Sequence, residues 1–98
     1  MTQARDSRST ASDFVLSQNY PNPFNPSTTI AFSIPEASKV SLKVYNILGQ
    51  EVATLIDDYK QAGDYVMKFN ASTLASGVYF YRLQANDFAQ TKKLLLLK

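Results

Sequence analysis

The chain has 98 residues, of which ten are basic and eight acidic, and its net charge of +2 is too small for the basic face of a nucleic-acid-binding protein. It contains neither histidine nor cysteine, which excludes a His-based catalytic triad, a disulfide framework and a thiolate metal site. With 45% hydrophobic residues it can build the core of one small domain, but it has no apolar run of the roughly 18 residues that a transmembrane helix needs.

The first 13 residues are polar, lack periodicity and lack the apolar stretch of a secretory signal. We interpret residues 1–13 as a flexible linker or a remnant of cloning. We therefore expect the folded domain to span residues 14–98, as a module from the end of a longer protein.

Short segments in which apolar and polar residues alternate follow at a spacing of roughly ten residues. Alternation with a period of two is typical of strands that face a core on one side and solvent on the other. The predicted strands cover residues 14–18, 29–34, 39–45, 51–56, 64–70, 78–85 and the closing run. The side chains predicted in the core include Phe32, Leu42, Val44, Phe69 and Leu83. The pattern predicts an all-β fold, a seven-stranded immunoglobulin-like antiparallel β-sandwich.

A proline-rich segment, residues 19–28, separates the first two predicted strands. Its three prolines fix φ and remove three backbone donors, so the segment is predicted to cross stiffly without joining a sheet. Its asparagine side chains are expected to bond backbone groups instead. Tyr20 and Phe24 are expected to anchor the segment to the core.

The closing residues, 92–98, place four consecutive leucines between lysines. Periodicity alone leaves a helix possible, but a strand is favoured because the run is short and follows another strand across the polar Asn86 and Asp87. Both faces of this strand would be apolar, whereas a sandwich covers only one. We therefore expect a partner to engage the strand, by strand addition or by binding it in a groove.

Two other kinds of site were considered from the composition. Asp57, Asp58 and Asp64 could meet in one loop and bind calcium through oxygen atoms, but their spacing matches no calcium-binding motif, and we expect solvated turn residues. A row of exposed aromatic side chains could bind a carbohydrate, although in a sandwich such residues more often pack inward. The aromatic candidates are Tyr45, Tyr59, Tyr79 and Tyr81. We predict no enzymatic activity, no catalytic residue, no metal site and no cofactor.

Four segments in a fixed order resemble one protein family. They are NYPNPFNPST (residues 19–28), VYNILGQEV (44–52), LASGVYFYRL (74–83) and KLLLLK (93–98). Over residues 15–98 the chain is similar to the type IX (Por) secretion C-terminal sorting domain, type A, of Bacteroidetes-type bacteria. One segment alone would be weak evidence, whereas four in order are specific. The residues that match the family's motifs are Asn22, Pro23, Asn25, Pro26, Gly49, Gly77, Val78 and Tyr79.

The resemblance implies an immunoglobulin-like sandwich that directs an N-terminally fused cargo across the outer membrane. The implied partners are the outer-membrane translocon and its sortase-like protease, with no nucleic acid and no small-molecule substrate. The implied route passes through the periplasm and ends at the cell surface, on lipopolysaccharide, or outside the cell. Cleavage is predicted within residues 5–13, because proteolysis concentrates where the backbone is exposed and unpaired.

The tail is predicted to bind the secretion machinery. The residues concerned are Lys92, Lys93, Leu94, Leu95, Leu96, Leu97 and Lys98. The tail departs from the family's pattern, because mixed aliphatic residues with Met or Val are expected where this chain has four leucines. Two alternatives stay open from the sequence: a purely structural immunoglobulin-like module, like the one in flagellar hook-capping proteins, and a carbohydrate-binding sandwich.

Overall fold

The computed structural model describes residues 13–98, which form seven strands and no helix. The strands are β1 (Val15–Leu16), β2 (Ser27–Ile34), β3 (Ser38–Tyr45), β4 (Glu51–Lys60), β5 (Gly63–Asn70), β6 (Gly77–Ala85) and β7 (Phe88–Leu96). They form a three-stranded sheet, β1-β2-β5, and a four-stranded sheet, β4-β3-β6-β7, and all five strand pairs are antiparallel. The predicted seven-stranded sandwich is confirmed. The predicted linker lies outside the described residues except for Asp13, so it stays a prediction.

Alternation along the strands places the core between the two sheets. In β2 every second residue is buried, and the same holds in β3. The five residues predicted in the core are all buried, with at most 4% of their surface exposed. Full burial of one such aliphatic or aromatic side chain stabilises the fold by about 1.5–3 kcal/mol. Each strand therefore contributes one apolar face to a shared interior.

Two tyrosines of β6 fix the connections at one end of the sandwich. The Tyr79 hydroxyl donates a hydrogen bond to the carbonyl of Ala75, four residues upstream, at 2.7 Å. This arrangement is the tyrosine corner that immunoglobulin-like sandwiches show near the start of the corresponding strand. The buried Tyr81 hydroxyl donates to the Ser17 carbonyl at 2.7 Å and accepts from the Asn19 N–H at 2.8 Å. Tyr81 therefore connects the four-stranded sheet to the segment that follows β1.

The edge strand β4 is longer than the sequence predicts. The sequence predicts a strand only as far as residue 56 and a loop with Asp57 and Asp58, but these two residues lie in β4, opposite Ser41 and Val40, and the strand continues to Lys60. The prediction was wrong because pairing with the full length of β3 supplies the backbone bonds, and an edge strand tolerates polar side chains on its exposed surfaces. The first strand is shorter than predicted, with two residues in place of five.

Candidate partner-binding site

The terminal strand β7 divides its leucines between two faces. Leu94 and Leu96 are fully buried opposite Tyr79 and Gly77 of β6, whereas Leu95 is only half-buried. Beyond the strand, Leu97 is 51% exposed. A period of two explains this division, since successive side chains of a strand point to opposite faces. The sandwich itself therefore covers one of the two apolar faces, and a partner can contact only the other.

The lysines of the tail lie on or near the accessible side. Lys93 is exposed on the outer face, and Lys92 is half-buried on the inner one. The backbone N–H of Lys98 donates to the Ser76 hydroxyl at 3.0 Å, and its ammonium donates to the Ser72 carbonyl at 2.7 Å. These two bonds hold the end of the tail against the loop between β5 and β6.

The proline-rich segment runs beside the outer edge of β7. The Phe24 N–H donates to the Leu95 carbonyl and the Leu97 N–H donates to the Phe24 carbonyl, both at 3.0 Å, which makes a parallel bridge between Phe24 and Leu96. The Asn22 side-chain oxygen accepts from the Leu95 N–H at 3.0 Å. The prediction that this segment cannot join a sheet was wrong, because Phe24 keeps the donor that the prolines lack and because Ser27 and Thr28, after the last proline, begin β2. A partner strand cannot add at Leu95–Leu97 while these bonds are in place.

Of the two aromatic residues predicted to anchor the proline-rich segment to the core, Phe24 does so and Tyr20 does not. Phe24 is 2% exposed, and its ring centroid lies 6.2 Å from that of Phe69. Tyr20 is 81% exposed, so it does not anchor the segment to the core. The buried Asn19 side chain takes over part of that role, donating to the Thr28 hydroxyl at 2.9 Å. Of the motif residues here, Asn22, Pro23 and Asn25 are exposed and Pro26 is half-buried.

The turn between β3 and β4 displays two aliphatic side chains. Gly49 has φ of 81°, a conformation that residues with a side chain rarely adopt. The Asn46 side-chain oxygen accepts from the N–H groups of Leu48, at 2.9 Å, and Gln50, at 3.0 Å. Ile47 and Leu48 are 70% and 77% exposed. The exposure of these two side chains was not predicted from the sequence, although their position between Asn46 and Gly49, outside the predicted strands, was an available signal.

A mixed apolar and basic surface covers part of the outer face of the four-stranded sheet. Its rows follow from the register, in which Tyr45 is paired with Phe80, Phe80 with Lys93, and Val78 with Leu95. One row further along, Lys43 is paired with Arg82. We call this surface the outer patch. Its members are the half-buried Tyr45, Val78, Phe80 and Leu95, with the cations Lys43, Arg82 and Lys93.

All four motif segments meet at this end of the sheet. The start of β6, with Gly77 and Val78, lies beside the end of β7, and Phe24 bridges to that end from the other side. The turn containing Gly49 follows the β3 residue paired with Phe80. Motif residues that are far apart in sequence are therefore neighbours in space. Some of them have structural roles, since Gly77 has a positive φ at the start of β6 and Tyr79 forms the tyrosine corner.

The charges of the outer patch are only partly compensated. The Lys43 ammonium lies 3.5 Å from the Glu51 carboxylate. The pKa of Glu51 is lowered, chiefly by the hydrogen bond from the Thr54 hydroxyl and further by Lys43. Arg82 and Lys93 make no ion pair within residues 13–98. The patch therefore carries a positive charge toward β7.

The acidic residues considered as a calcium site do not come together in a loop. Asp57 lies in β4 with its carboxylate 3.6 Å from the Lys39 ammonium, and Asp64 lies in β5 and accepts from the Ser33 hydroxyl at 2.6 Å. Within the described part of the chain no three acidic side chains are grouped so that they could hold a metal ion.

The tyrosines considered as a carbohydrate platform do not form a row. Tyr79 and Tyr81 are buried, as inward packing predicts. Tyr45 is half-buried near one end of the β3–β4 pair, and Tyr59 is exposed at the other end, opposite Lys39. The arrangement does not offer a continuous aromatic surface.

Comparison with known proteins gives the family. The family model described as the secretion system C-terminal sorting domain matches residues 18–97. None of the curated proteins compared with the chain matches it. Residues 13–98 contain no helix of the length and apolarity that crossing a membrane requires. The match spans most of the chain, including three of the four motif segments in full and the fourth except for Lys98, and the chain therefore belongs to the C-terminal sorting domains that serve as type IX secretion signals.

Proposed function

We propose that the outer-membrane translocon of the type IX system binds this domain through the accessible side chains of its tail, while the sandwich holds the tail in position. The observation that carries the proposal is the alternation in β7 and beyond, where Leu94 and Leu96 are buried and Lys93 and Leu97 are exposed. The buried leucines fix the strand in the core. The exposed positions are then presented at constant spacing on a rigid support.

The charged residues contribute to partner choice more than to the stability of the fold. Exposed charges usually change the free energy of unfolding by less than about 1 kcal/mol. Across an interface, however, complementary charges speed association and exclude wrong partners. Lys93 and Lys98 are therefore proposed to face carboxylates of the translocon, with Leu97 between them as an apolar contact.

The other assignments complete this proposal. The cargo is fused before residue 13, and the sortase-like protease of the system cuts within residues 5–13. The domain has no enzymatic activity and no cofactor, and it passes through the periplasm before the cargo reaches the cell surface or the medium. Sequencing the N-terminus of the domain released in a native host tests the cleavage position, and a cut within residues 30–45 would contradict it.

The binding proposal is tested with a reporter protein fused in front of residues 1–98 and produced in a type IX-competent cell. The variant Lys93→Glu with Lys98→Glu reverses the tail charges and leaves the apolar area of the tail nearly unchanged. The matched control, Lys39→Glu with Lys68→Glu, makes the same change in net charge at exposed positions away from the tail. The measurement is the fraction of reporter at the surface and in the medium compared with the periplasm.

We expect the parent and the control to be exported and the tail variant to accumulate, folded, in the periplasm. Thermal melting of the purified 98-residue chain checks that each variant folds. Export of the tail variant at the parent's level would show that the translocon does not bind the lysines. Failure of the parent itself to be exported would contradict the proposed function.

A further inference from the structure

The outer patch and the turn at Ile47 and Leu48 form one continuous exposed surface. The turn directly follows Tyr45, which is paired with Phe80, and Phe80 is paired with Lys93. The surface thus runs from the exposed turn across β3 and β6 to the outer face of β7. Within residues 13–98 no second sheet packs on this side, because the three-stranded sheet covers the opposite face.

The charge arrangement in this surface is unfavourable for the isolated domain. Lys43 lies directly opposite Arg82, and like charges in directly opposed positions destabilise a sheet. Glu51 compensates Lys43, but Arg82 has no ion-pair partner within residues 13–98. An anionic partner would relieve this repulsion. The surface therefore has the electrostatic properties of a binding site for carboxylates.

The outer face of the three-stranded sheet lacks the opposed cations and the aromatic residues of the outer patch. Its paired rows are Thr29 with Lys68, Ala31 with Val66 and Ser33 with Asp64. It offers no aromatic side chain in these rows, and its one lysine is accompanied by an acid. Val66 is exposed to 68%, close to the exposure of Ile47. This face provides matched controls, because residues of the same kind occur there without the rest of the patch.

The turn is already ordered in the form that a partner would bind. The Asn46 side-chain oxygen accepts hydrogen bonds from the backbone N–H groups of Leu48 and Gln50, and the Asn46 side-chain nitrogen donates to the Gln50 side-chain oxygen at 2.9 Å. The Gly49 N–H also donates to the Asn46 carbonyl at 3.0 Å. A rigid loop loses little conformational entropy on binding, so the apolar area of Ile47 and Leu48 contributes to affinity with a small entropic cost.

We propose that the part of this surface outside the tail, from the turn at Ile47 and Leu48 across β3 to Phe80 and Arg82 of β6, is a second docking site for the secretion machinery, occupied by a protein with an apolar depression flanked by carboxylates. Aromatic side chains with a polar rim are typical of interface centres, and here Tyr45 and Phe80 take the centre. A protein is favoured over an anionic membrane because a protein can place its carboxylates beside Arg82 and away from Glu51, which follows the exposed turn, whereas anionic lipid presents negative charge to the whole surface and would be repelled at Glu51. The proposal rests on the proposed function and adds the partner's chemistry to it.

The test uses the same reporter fusion with two independent changes. Ile47→Ser with Leu48→Ser removes the exposed apolar side chains of the turn, and its control is Val66→Ser. Arg82→Glu reverses a charge of the patch, and its control is Lys68→Glu. Since all these side chains are exposed, each variant is expected to melt within about 4 °C of the parent. We expect the exported fraction of the reporter to fall at least tenfold for both patch variants, which corresponds to a loss of about 1.4 kcal/mol of binding free energy. Both controls are expected to be exported at the parent's level.

The outcomes separate this inference from the proposed function. Parental export of both patch variants, together with loss of export in the tail variant, overturns the docking site and leaves the tail proposal intact. Equal loss in the controls also overturns it, because the effect would not be specific to this surface. Failure of the parent fusion to be exported would contradict both the docking site and the proposed function. Sedimentation of the parent chain, but not of the turn variant, with phosphatidylglycerol–phosphatidylethanolamine vesicles would assign the surface to a membrane and overturn the protein partner.

Discussion

The two faces of the four-stranded sheet are both rich in apolar residues, but they differ in what surrounds them. On the inner face Leu42, Leu83 and Leu94 are fully enclosed by the second sheet. On the outer face Phe80 and Leu95 lie half-buried among cations, and no second sheet of the described residues covers them. Apolar character alone therefore does not distinguish a residue that holds the fold from one that a partner contacts. The strand register and the order of the strands in the sheet show which residues face the core and which stay accessible.

The same distinction divides the tail residue by residue. A run of four leucines offers two residues to each face of a strand. The inner pair completes the core, which accounts for a large part of the hydrophobic pattern without any partner. Only the outer residues, with Lys93, need a separate explanation. Under the proposed function, the sorting signal is one face of a folded strand and not a linear sequence.

The largest expected effect is the stability difference between the two faces. Leu94→Ala removes a fully buried side chain and should lower the free energy of unfolding by about 2–5 kcal/mol. Leu97→Ala removes a half-exposed one and should cost less than about 1 kcal/mol. Urea unfolding of the 98-residue chain measures both. Equal losses would show that Leu97 is enclosed by the fold, and the comparison between the faces would fail.

A second effect comes from the polar contact inside the core. Tyr81→Phe leaves the Asn19 N–H and the Ser17 carbonyl without their partner and should lower the free energy of unfolding by about 1–3 kcal/mol. Denaturant unfolding at neutral pH measures this loss. A loss below about 0.5 kcal/mol would indicate that water replaces the hydroxyl.

The same hydroxyl predicts a pH dependence. Burial raises the pKa of Tyr81 to about 12, against about 10 in the unfolded chain, although the Asn19 hydrogen bond works in the opposite direction. The neutral hydroxyl is thus favoured in the folded state. The contribution of this hydroxyl to the free energy of unfolding is complete below about pH 10 and is lost as the pH rises through about 12. Unfolding measured between pH 9 and 12 should show a steeper decline for the parent than for Tyr81→Phe, and identical slopes would contradict this assignment.

A smaller effect is expected where the proline-rich segment meets β7. Asn22→Ala removes the acceptor of the Leu95 N–H and should cost about 0.5–1.5 kcal/mol. Asn25→Ala is the control, because the Asn25 side chain makes no hydrogen bond to residues 13–98. Amide hydrogen exchange at Leu95 should accelerate in the first variant only. Unchanged exchange would show that the segment does not protect the edge of the terminal strand.

The smallest effect on stability is expected at the outer cation. Lys93→Glu should change the free energy of unfolding by less than about 1 kcal/mol, because the side chain is exposed. Thermal melting at low and high salt measures it. A larger loss would mean that Lys93 stabilises the fold, and a defect in export could then not be assigned to a partner.

The sequence predicted the inner face well because that face depends on local alternation. Ile30, Phe32 and Ile34 follow one another at a period of two, and a single strand is enough to assign them inward. The turn at Gly49 also depends on local information, because glycine is the residue best able to adopt a positive φ. These features need no knowledge of which strands become neighbours.

The outer patch could not be predicted, because it is assembled from three strands. The pairing of Tyr45 with Phe80 and of Phe80 with Lys93 depends on sheet order and on register, and the register of β3 against β4 shifts at Leu42 and Val44. Similarly, the proline content predicted that residues 19–28 stay out of a sheet. The contact with β7 depends instead on Phe24, whose backbone N–H is free to donate to the Leu95 carbonyl. Nothing in the local pattern indicates where β4 ends either, because its length is set by its partner β3.

The measurement that tests the central claim most directly compares export with stability across both faces. Reporter fusions carrying a mild inner-face change, Leu42→Val, and the outer-face change Lys93→Glu are assayed for exported fraction, and the free energy of unfolding is measured for each purified chain. We expect Leu42→Val to be less stable yet exported while it stays folded, and Lys93→Glu to be as stable as the parent yet retained. If exported fraction follows the free energy of unfolding for all variants on a single curve, the machinery requires only a folded domain, and the division of the terminal strand into a structural face and a partner-binding face is contradicted.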